Sequence, residues 1–412
     1  MFSKLIATLI VVLTAVTVHA EDWPQFRGPT GQGHSTERGV PVEWSDTLNV
    51  RWKTPVPGLG WSSPVVSGGR IFLTTAIKER GGGSLRLLAY DVESGREVVN
   101  TEVFRLKSID PINPKNSRAS PTPIVDNGRV YIHFGADGTA ALTTAGDVVW
   151  KTRFEYDSQH GDGGSPVVYG DLLILSCDGD DTGFVVALDK ETGKVRWKTA
   201  RRRPLAQAYS TPLVIRVNGR DQLVSVGAYR AAAYDPLSGQ EIWRVSYPVA
   251  FPDGFSNVMR PVYGDGLLFI SGGFNIPSLF AVRVDGTGDV TKTHMTWTLS
   301  RGAPLTPSPL LLGSELYIVS DTGIASCLDA KTGGTRWQQR LPGNYSASPV
   351  FVDGRIYFLS EEGITTVIEP GTTFKPVAVN RLDGDTLASM AISDGSIFIR
   401  SDANLYRIAT PK

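Results

Sequence analysis

GSPVVYGDLLILSC (residues 164–177), followed by ALDKETGKVRWKT (187–199), is the stretch that decides the fold. It holds an apolar pair after a proline, a Gly-centred turn, an alternating apolar run, a further short strand ending near Asp189, a Thr-Gly turn, and a last strand carrying Trp197. Alternation with period two between turn residues reads as strands joined by hairpins. The pattern returns as SSPVVSGGRIFLTT with AYDVESGREVV (62–99), STPLV with AYDPLSGQEIWRV (210–245), PSPLLLGSELYIVS with CLDAKTGGTRWQQ (307–339), and ASPVFVDGRIYFLS (347–360). Less perfect copies begin at Ala119, Arg260 and Ala388, which puts the proline or its equivalent at 64, 121, 166, 212, 261, 309, 349 and 390. Four strands per copy is the anatomy of a propeller blade. The expected fold is therefore all-β, an eight-bladed β-propeller of four-stranded antiparallel blades.

Trp150, Trp197, Trp243, Trp297 and Trp337 take the same place in the last strand of their copies, and Val99 takes it in the first. Buried there, each indole should staple its blade to the next, contributing roughly 2 kcal/mol or more. The final copy ends at NLYRIA (404–409) without a Trp strand, while VRWKT (50–54) repeats residues 195–199 with no earlier strands before it. The two ends complete each other, so the strand around Trp52 is expected to close the last blade and leave no open edge. The propeller then runs over 48–410, behind a Gly- and Pro-rich leader at 21–47 whose Trp23, Phe26 and Trp44 are expected to dock along the ring.

Of 412 residues, 41% are hydrophobic and 20% charged, which is enough apolar mass for a large soluble core and argues against disorder. Lys plus Arg number 41, as do Asp plus Glu, so no basic field draws the chain to nucleic acid. The first residues pair Lys4 with an apolar run from Leu5 to Val18 and end in Val18-His19-Ala20. This reads as a signal peptide cleaved after Ala20, the run being too short for an integral membrane span. The expected product is a periplasmic or extracellular monomer without a lipid anchor, since no cysteine lies near the cleavage point. Cys177 and Cys327 fall in blades far apart around the ring and are expected to remain buried free thiols.

The A-x-D-x-x-T-G-x-x-x-W pattern, clearest from Ala187 to Trp197, resembles the tryptophan-docking motif of the quinoprotein (PQQ-like) propellers. That family includes PQQ-dependent alcohol dehydrogenases and the propeller lipoprotein of the outer-membrane assembly machine. DWPQFRGPTGQG (22–33), RGAPLTPSP (301–309) and GNYSASPV (343–350) look like an exported bacterial subgroup of it without an assigned reaction. Its motif specifies a fold and leaves function open.

For the enzymes, the resemblance implies a quinone held in the central funnel with Ca²⁺ on Glu, Asn and Asp, a catalytic Asp, and a disulfide between neighbouring cysteines. Here Cys177 and Cys327 are not adjacent, the chain is short, and no C-x-x-C-H occurs. PQQ with calcium therefore belongs to an alternative reading, and the main expectation carries no cofactor, metal or catalytic residue. The Asp178–Gly183 run lacks calcium-loop register and reads as a solvated turn. His34, His133, His160 and His294 stand isolated, and Gly81–Gly83 reads as a hairpin tip.

The main expectation is a non-catalytic binding or scaffold module with a protein or glycan partner, and an envelope protein-assembly scaffold is a further alternative. Loops entering the innermost strands converge at one mouth of the channel. The residues placed there are Trp61, Asn116, Ser117, Arg118, His160, Asp162, Gln207, Tyr209, Ser256, Asn257, Arg260, Arg301, Asn344, Tyr345 and Thr386. Three arginines, two tyrosines, a Trp and several amides suit a polar or anionic ligand or a glycan. The longer connections at 101–118 and 285–301 are expected to roof the mouth or meet a partner.

Overall fold

Five of the blades open with an Asn-Gly or Asp-Gly pair in their first hairpin. Both residues have positive φ at Asn127-Gly128, Asn218-Gly219, Asp265-Gly266, Asp353-Gly354 and Asp394-Gly395. That is the backbone of the two-residue turn whose twist matches antiparallel strands, so these dipeptides nucleate the hairpins on which the fold is built. The computed structural model describes residues 21–109, 112–158, 160–202, 205–247, 256–273 and 277–411. The expected signal peptide, residues 1–20, lies outside the described residues.

Eight sheets, each built on four antiparallel strands, follow one another around the ring, and seven of them run from an innermost strand outward in chain order. In blade 3 the strands are Val167–Tyr169, Leu172–Asp178, Gly183–Asp189 and Val195–Ala200. Blade 8 is composite: Ala391–Ser393, Ser396–Arg400 and Asn404–Ile408 come from the C-terminal end, and Val50–Pro55 pairs with Asn404–Ile408 as the outer strand. Trp52 stands opposite Arg407, so the expected closure by the chain's two ends is what the structure shows.

One register differs from expectation. In blade 2 the innermost strand is Ile124–Asp126, so the blade proline is Pro123 and not Pro121. SPTP offers two prolines, and pairing of Ile124 with Tyr131 selects the second. With that correction the residue before each blade proline forms a girdle around the axis. The backbone N–H of Ser63 donates to Thr122 Oγ1 (2.9 Å), that of Thr122 to Ser165 Oγ (2.9 Å), and that of Ser165 to Thr211 Oγ1 (2.9 Å). On the other arc Arg260 N–H donates to Ser308 Oγ (2.9 Å), Ser308 to Ser348 (3.0 Å), Ser348 to Ser389 (2.9 Å), and Ser389 back to Ser63 (3.1 Å). The relay is open only where Arg260 replaces the hydroxyl.

At the outer edge the indole N–H of Trp52, Trp150, Trp197, Trp297 and Trp337 donates to a turn carbonyl of the following blade, at Val92, Lys190, Pro236, Ala330 and Gly371 respectively, over 2.9–3.0 Å. A Cβ added at Gly193 would fall 2.6 Å from the Trp150 ring, and one at Gly239 2.5 Å from Trp197, so the turn glycine is what lets the ring lie flat against it. Trp243 departs from this pattern. It is fully buried and donates to Gln222 Oε1 of its own blade (2.8 Å), because Gly288–Asp289 from the 285–301 connection adds a parallel fifth strand beside it.

Cys177 and Cys327 are free and buried. Burial pushes Cys327 up to about 11 and Cys177 well above the usual thiol range. Neither thiol should react with a disulfide reagent at pH 8 until the ring unfolds, and reaction of either in the native protein would contradict this placement. Trp52→Ala should cost about 2–3 kcal/mol in urea unfolding, because the indole is half-buried. Ser165→Ala should cost about 1–3 kcal/mol by leaving Thr122 N–H unpaired, and deletion of 48–56 should open the ring.

Candidate functional site

The girdle hydroxyls project onto an axial cavity of about 1260 Å³. Ser63, Thr122, Ser165, Thr211, Ser308, Ser348 and Ser389 all line it, so the groups that bind the blades together also form a polar waist in the channel. Above the waist lie loop residues, among them exposed Lys115, His160, Ser300 and Thr322, and this end meets solvent. Below it lies Phe26 of the leader.

The leader closes that lower end because its backbone and side chains bond opposite sides of the ring in succession. Trp23 exchanges backbone hydrogen bonds with Val66 of blade 1, and Pro24 O accepts from Val125 of blade 2. Phe26 O then accepts from Arg260 of blade 5 (2.7 Å), and Arg27 Nη2 donates to Pro309 O of blade 6 (2.6 Å). Further along, Ser35 N–H reaches Phe351 O of blade 7, and Glu37 accepts from Asp394 and Gly395 N–H of blade 8. The leader thus crosses beneath the channel, and Trp23 is fully buried as its anchor.

Charges on the cavity wall are few and engaged. Lys115 pairs with Glu361 (2.9 Å), Asp180 accepts from Gln207 Nε2 (3.1 Å), and Asp321 accepts from Leu305 N–H (2.8 Å). Trp61 Nε1 is buried without a protein acceptor. With Tyr209, Tyr229, Asn113, Asn116 and Gln207, the wall offers hydroxyls, amides and aromatic faces to a ligand of low charge.

Of the sequence-selected residues, Trp61, Asn116, His160, Gln207, Tyr209 and Ser256 meet on this wall. The others lie elsewhere. Arg118 pairs with Asp137 (3.1 Å). Asp162 is buried, accepting from the Tyr156 hydroxyl and from Gly163 N–H. Asn257 is buried with Nδ2 on Gly227 O (2.5 Å), and Tyr345 is buried with its hydroxyl on Pro342 O (3.0 Å). Asn344 bonds Glu362, Thr386 bonds Ser360 O (2.5 Å), Ser117 bonds Ser120, and Arg301 is exposed off the wall. Arg260 sits beneath the waist against the leader. With all three arginines off the wall, the cavity loses the cationic character expected of it.

Phe26, Asp180, Tyr229 and Asp321 line the cavity although sequence reasoning did not select them. Asp180 belongs to the run expected to be a solvated turn. In fact Asp178 of that run is buried in a pair with Arg201, and burial raises its pKa despite the pair. The 101–118 connection supplies Asn113, Lys115 and Asn116 to the mouth.

A sequence model of the family described as outer membrane protein assembly factor BamB matches residues 35–153, 111–296 and 289–386. The chain belongs to this family. BamB of Nitrosomonas eutropha (strain DSM 101675 / C91 / Nm57) is 23% identical over 300 residues, which are 69% of this chain and 68% of that protein. BamB of Yersinia pestis is 26% identical over 211 residues, 46% of this chain and half (50%) of that one. The crystal structure of BamB from Moraxella catarrhalis has the same fold, with a TM-score of 0.62 at 12% identity over 88% of this chain and 100% of that one.

For a BamB-family ring the quinone alternative can be tested on the donor set. Among the described residues the wall carries two carboxylates, Asp180 and Asp321, and each is held by a protein donor. No group of three or more His, Cys, Asp or Glu able to hold a metal ion occurs among the described residues. This set does not fit a Ca²⁺–quinone pair, which needs clustered hard oxygens. No helix among the described residues is long and apolar enough to cross a membrane.

Proposed function

We propose that the protein is a non-catalytic scaffold of the cell envelope, which docks a partner protein on the loop face of the ring and receives a polar segment of it in the central cavity. The observation that carries this reading is the asymmetry of the channel: the leader seals one end and the other stays open over a rigid waist of hydroxyls. Family membership supports it, since the relatives are described as outer membrane protein assembly factors. A neutral wall of Ser, Thr, Asn and Gln can meet backbone amides in either direction, because these groups both donate and accept. The signal peptide read at 1–20 supports export, and a single ring supports a monomer.

A second reading, a neutral glycan in the same cavity, is favoured by Trp61, Tyr209 and Tyr229 beside Asn116 and Gln207. Apolar sugar faces stack on aromatic rings while hydroxyls bond amides.

Photo-crosslinking residues placed in living cells at Asn113 and Ser256 on the loop face, and at Arg38 beside Asp353 on the leader face, separate these readings. Discrete protein adducts from Asn113 and Ser256 but not Arg38 are expected. Adducts from Arg38 alone, or from no site, would sink the docking proposal. In the latter case, calorimetric binding of neutral oligosaccharides, lost in Trp61→Ala, would favour the glycan.

A further inference from the structure

Six cations of this ring are deeply buried, and among the described residues three have an anionic partner while three, Arg27, Arg260 and Arg400, have none. Arg201 is paired with Asp178, Lys190 with Asp126 (2.7 Å), and Arg407 with Glu93 (2.8 Å) and Asp394 (3.3 Å). Arg27 and Arg260 are more buried than Lys190 and Arg407, at 1% and 2% exposure, yet neither has a carboxylate within ion-pair distance among the described residues. Their acceptors are neutral. Arg27 Nη2 donates to Gln32 O (2.9 Å) and Pro309 O (2.6 Å), while Arg260 Nη1 donates to Phe26 O (2.7 Å) and Nη2 approaches Gln25 Oε1 (3.5 Å). Arg27 Nε and Nη1 and Arg260 Nε are buried with no acceptor among the described residues.

These two guanidiniums are neighbours across the same strip of leader. A Cβ added at Gly31 would fall 2.4 Å from Arg260 Nη1, and one at Gly33 2.8 Å from Arg27 Nη2. Burial pushes both down to about 9, and repulsion from Arg260 adds to the effect on Arg27. His34 alongside is pushed down to about 4 by burial and by Arg27, so it is neutral at pH 7 and adds no third charge. Arg400 is likewise buried without a carboxylate, donates Nη1 to Ser62 and Thr74 oxygens and has an orphan Nε; it differs only in that no second cation acts on it among the described residues, whereas Arg260 repels Arg27.

Two like charges taken out of water next to each other are strongly disfavoured unless an anion compensates them. Water would satisfy the orphan N–H groups and leave the charge uncompensated. We infer that Arg27 and Arg260 form a buried site for a small oxyanion of the phosphate or sulfate class, at the seam between the leader and blades 5 and 6. A planar guanidinium fork matches the oxygens of such an ion, and the orphan N–H groups on both arginines are the donors left to bind it. The anion fixes the leader across the channel floor, separate from the cavity, whose wall neither arginine joins. It also accounts for the break in the girdle, because position 260 serves this site in place of the hydroxyl relay. The inference is independent of which partner the loop face docks.

Ion chromatography of anions released when dialysed protein is denatured, together with calorimetric titration of inorganic phosphate and sulfate into the native protein at constant ionic strength, tests it. About one equivalent of oxyanion is expected, either carried through purification or bound on titration. Arg260→Ser should weaken binding by roughly tenfold or more while folding well, since its hydroxyl can take Thr211 N–H. Arg260→Lys, which keeps the charge and loses the fork, should also bind more weakly and serves if the serine variant does not fold. Neither release nor titration in wild type, release of chloride alone, or unchanged binding in the variants would each overturn the site.

Discussion

The first backbone N–H of each blade decides how this ring holds together. In seven of the eight blades it precedes a proline at the crowded axis, where no ladder partner exists, and left buried without an acceptor it would cost about 1–3 kcal/mol. A Ser or Thr one blade along supplies it, and the same residue's own N–H is passed to the next. Except at the break between blades 4 and 5, each blade is thereby positioned by both neighbours near the axis, where small displacements would change the width of the channel. The Ser-Pro and Thr-Pro pairs thus have a physical meaning beyond turn formation: the proline begins the strand and the hydroxyl fixes the angle to the next blade.

Tryptophan docking does the same work at the rim with different chemistry. There the blades splay apart, and an indole both fills the wedge and reaches a carbonyl of the next turn. The substitutions follow from what fills the wedge otherwise. Val99 meets the Gly146 turn, with Thr101 bonding its carbonyl (3.0 Å). Trp243 has an added strand beside it and turns its N–H inward. Closure through Trp52 uses the standard arrangement, which makes the composite blade mechanically equivalent to the others.

Blade number, strand order and closure were legible in the sequence because hairpin turns and Trp strands recur at fixed offsets, and local chemistry forces them. The site was less legible, for identifiable reasons. SPTP contains two prolines, and only pairing of Ile124 with Tyr131 chooses between them, which displaced the mouth register there. Arg260 occupies a girdle position, so the repeat placed it on the channel wall, yet its long side chain runs down to the leader. Asp178 reads as a loop carboxylate until Arg201, distant in sequence, buries it. Most consequential was the leader. With no periodicity of its own, it takes its conformation wholly from the ring it crosses, and nothing within residues 21–47 reveals that path.

That path gives the ring its polarity. An eight-bladed propeller by itself is a tube with two similar mouths, and either could admit a ligand or partner. Once Phe26 sits under the waist and the leader is bonded to blades 1, 2 and 5 through its backbone and to blade 6 through the Arg27 side chain, the loop face is the end left open to solvent among the described residues. The loops on that face are the least constrained by the repeat, since blade geometry fixes their ends and not their lengths. Specificity can therefore change there without disturbing the girdle or the Trp docking, and the sealed face carries the cost of holding the leader. Rigidity and recognition are assigned to opposite ends of one channel, with the hydroxyl waist as the boundary between them.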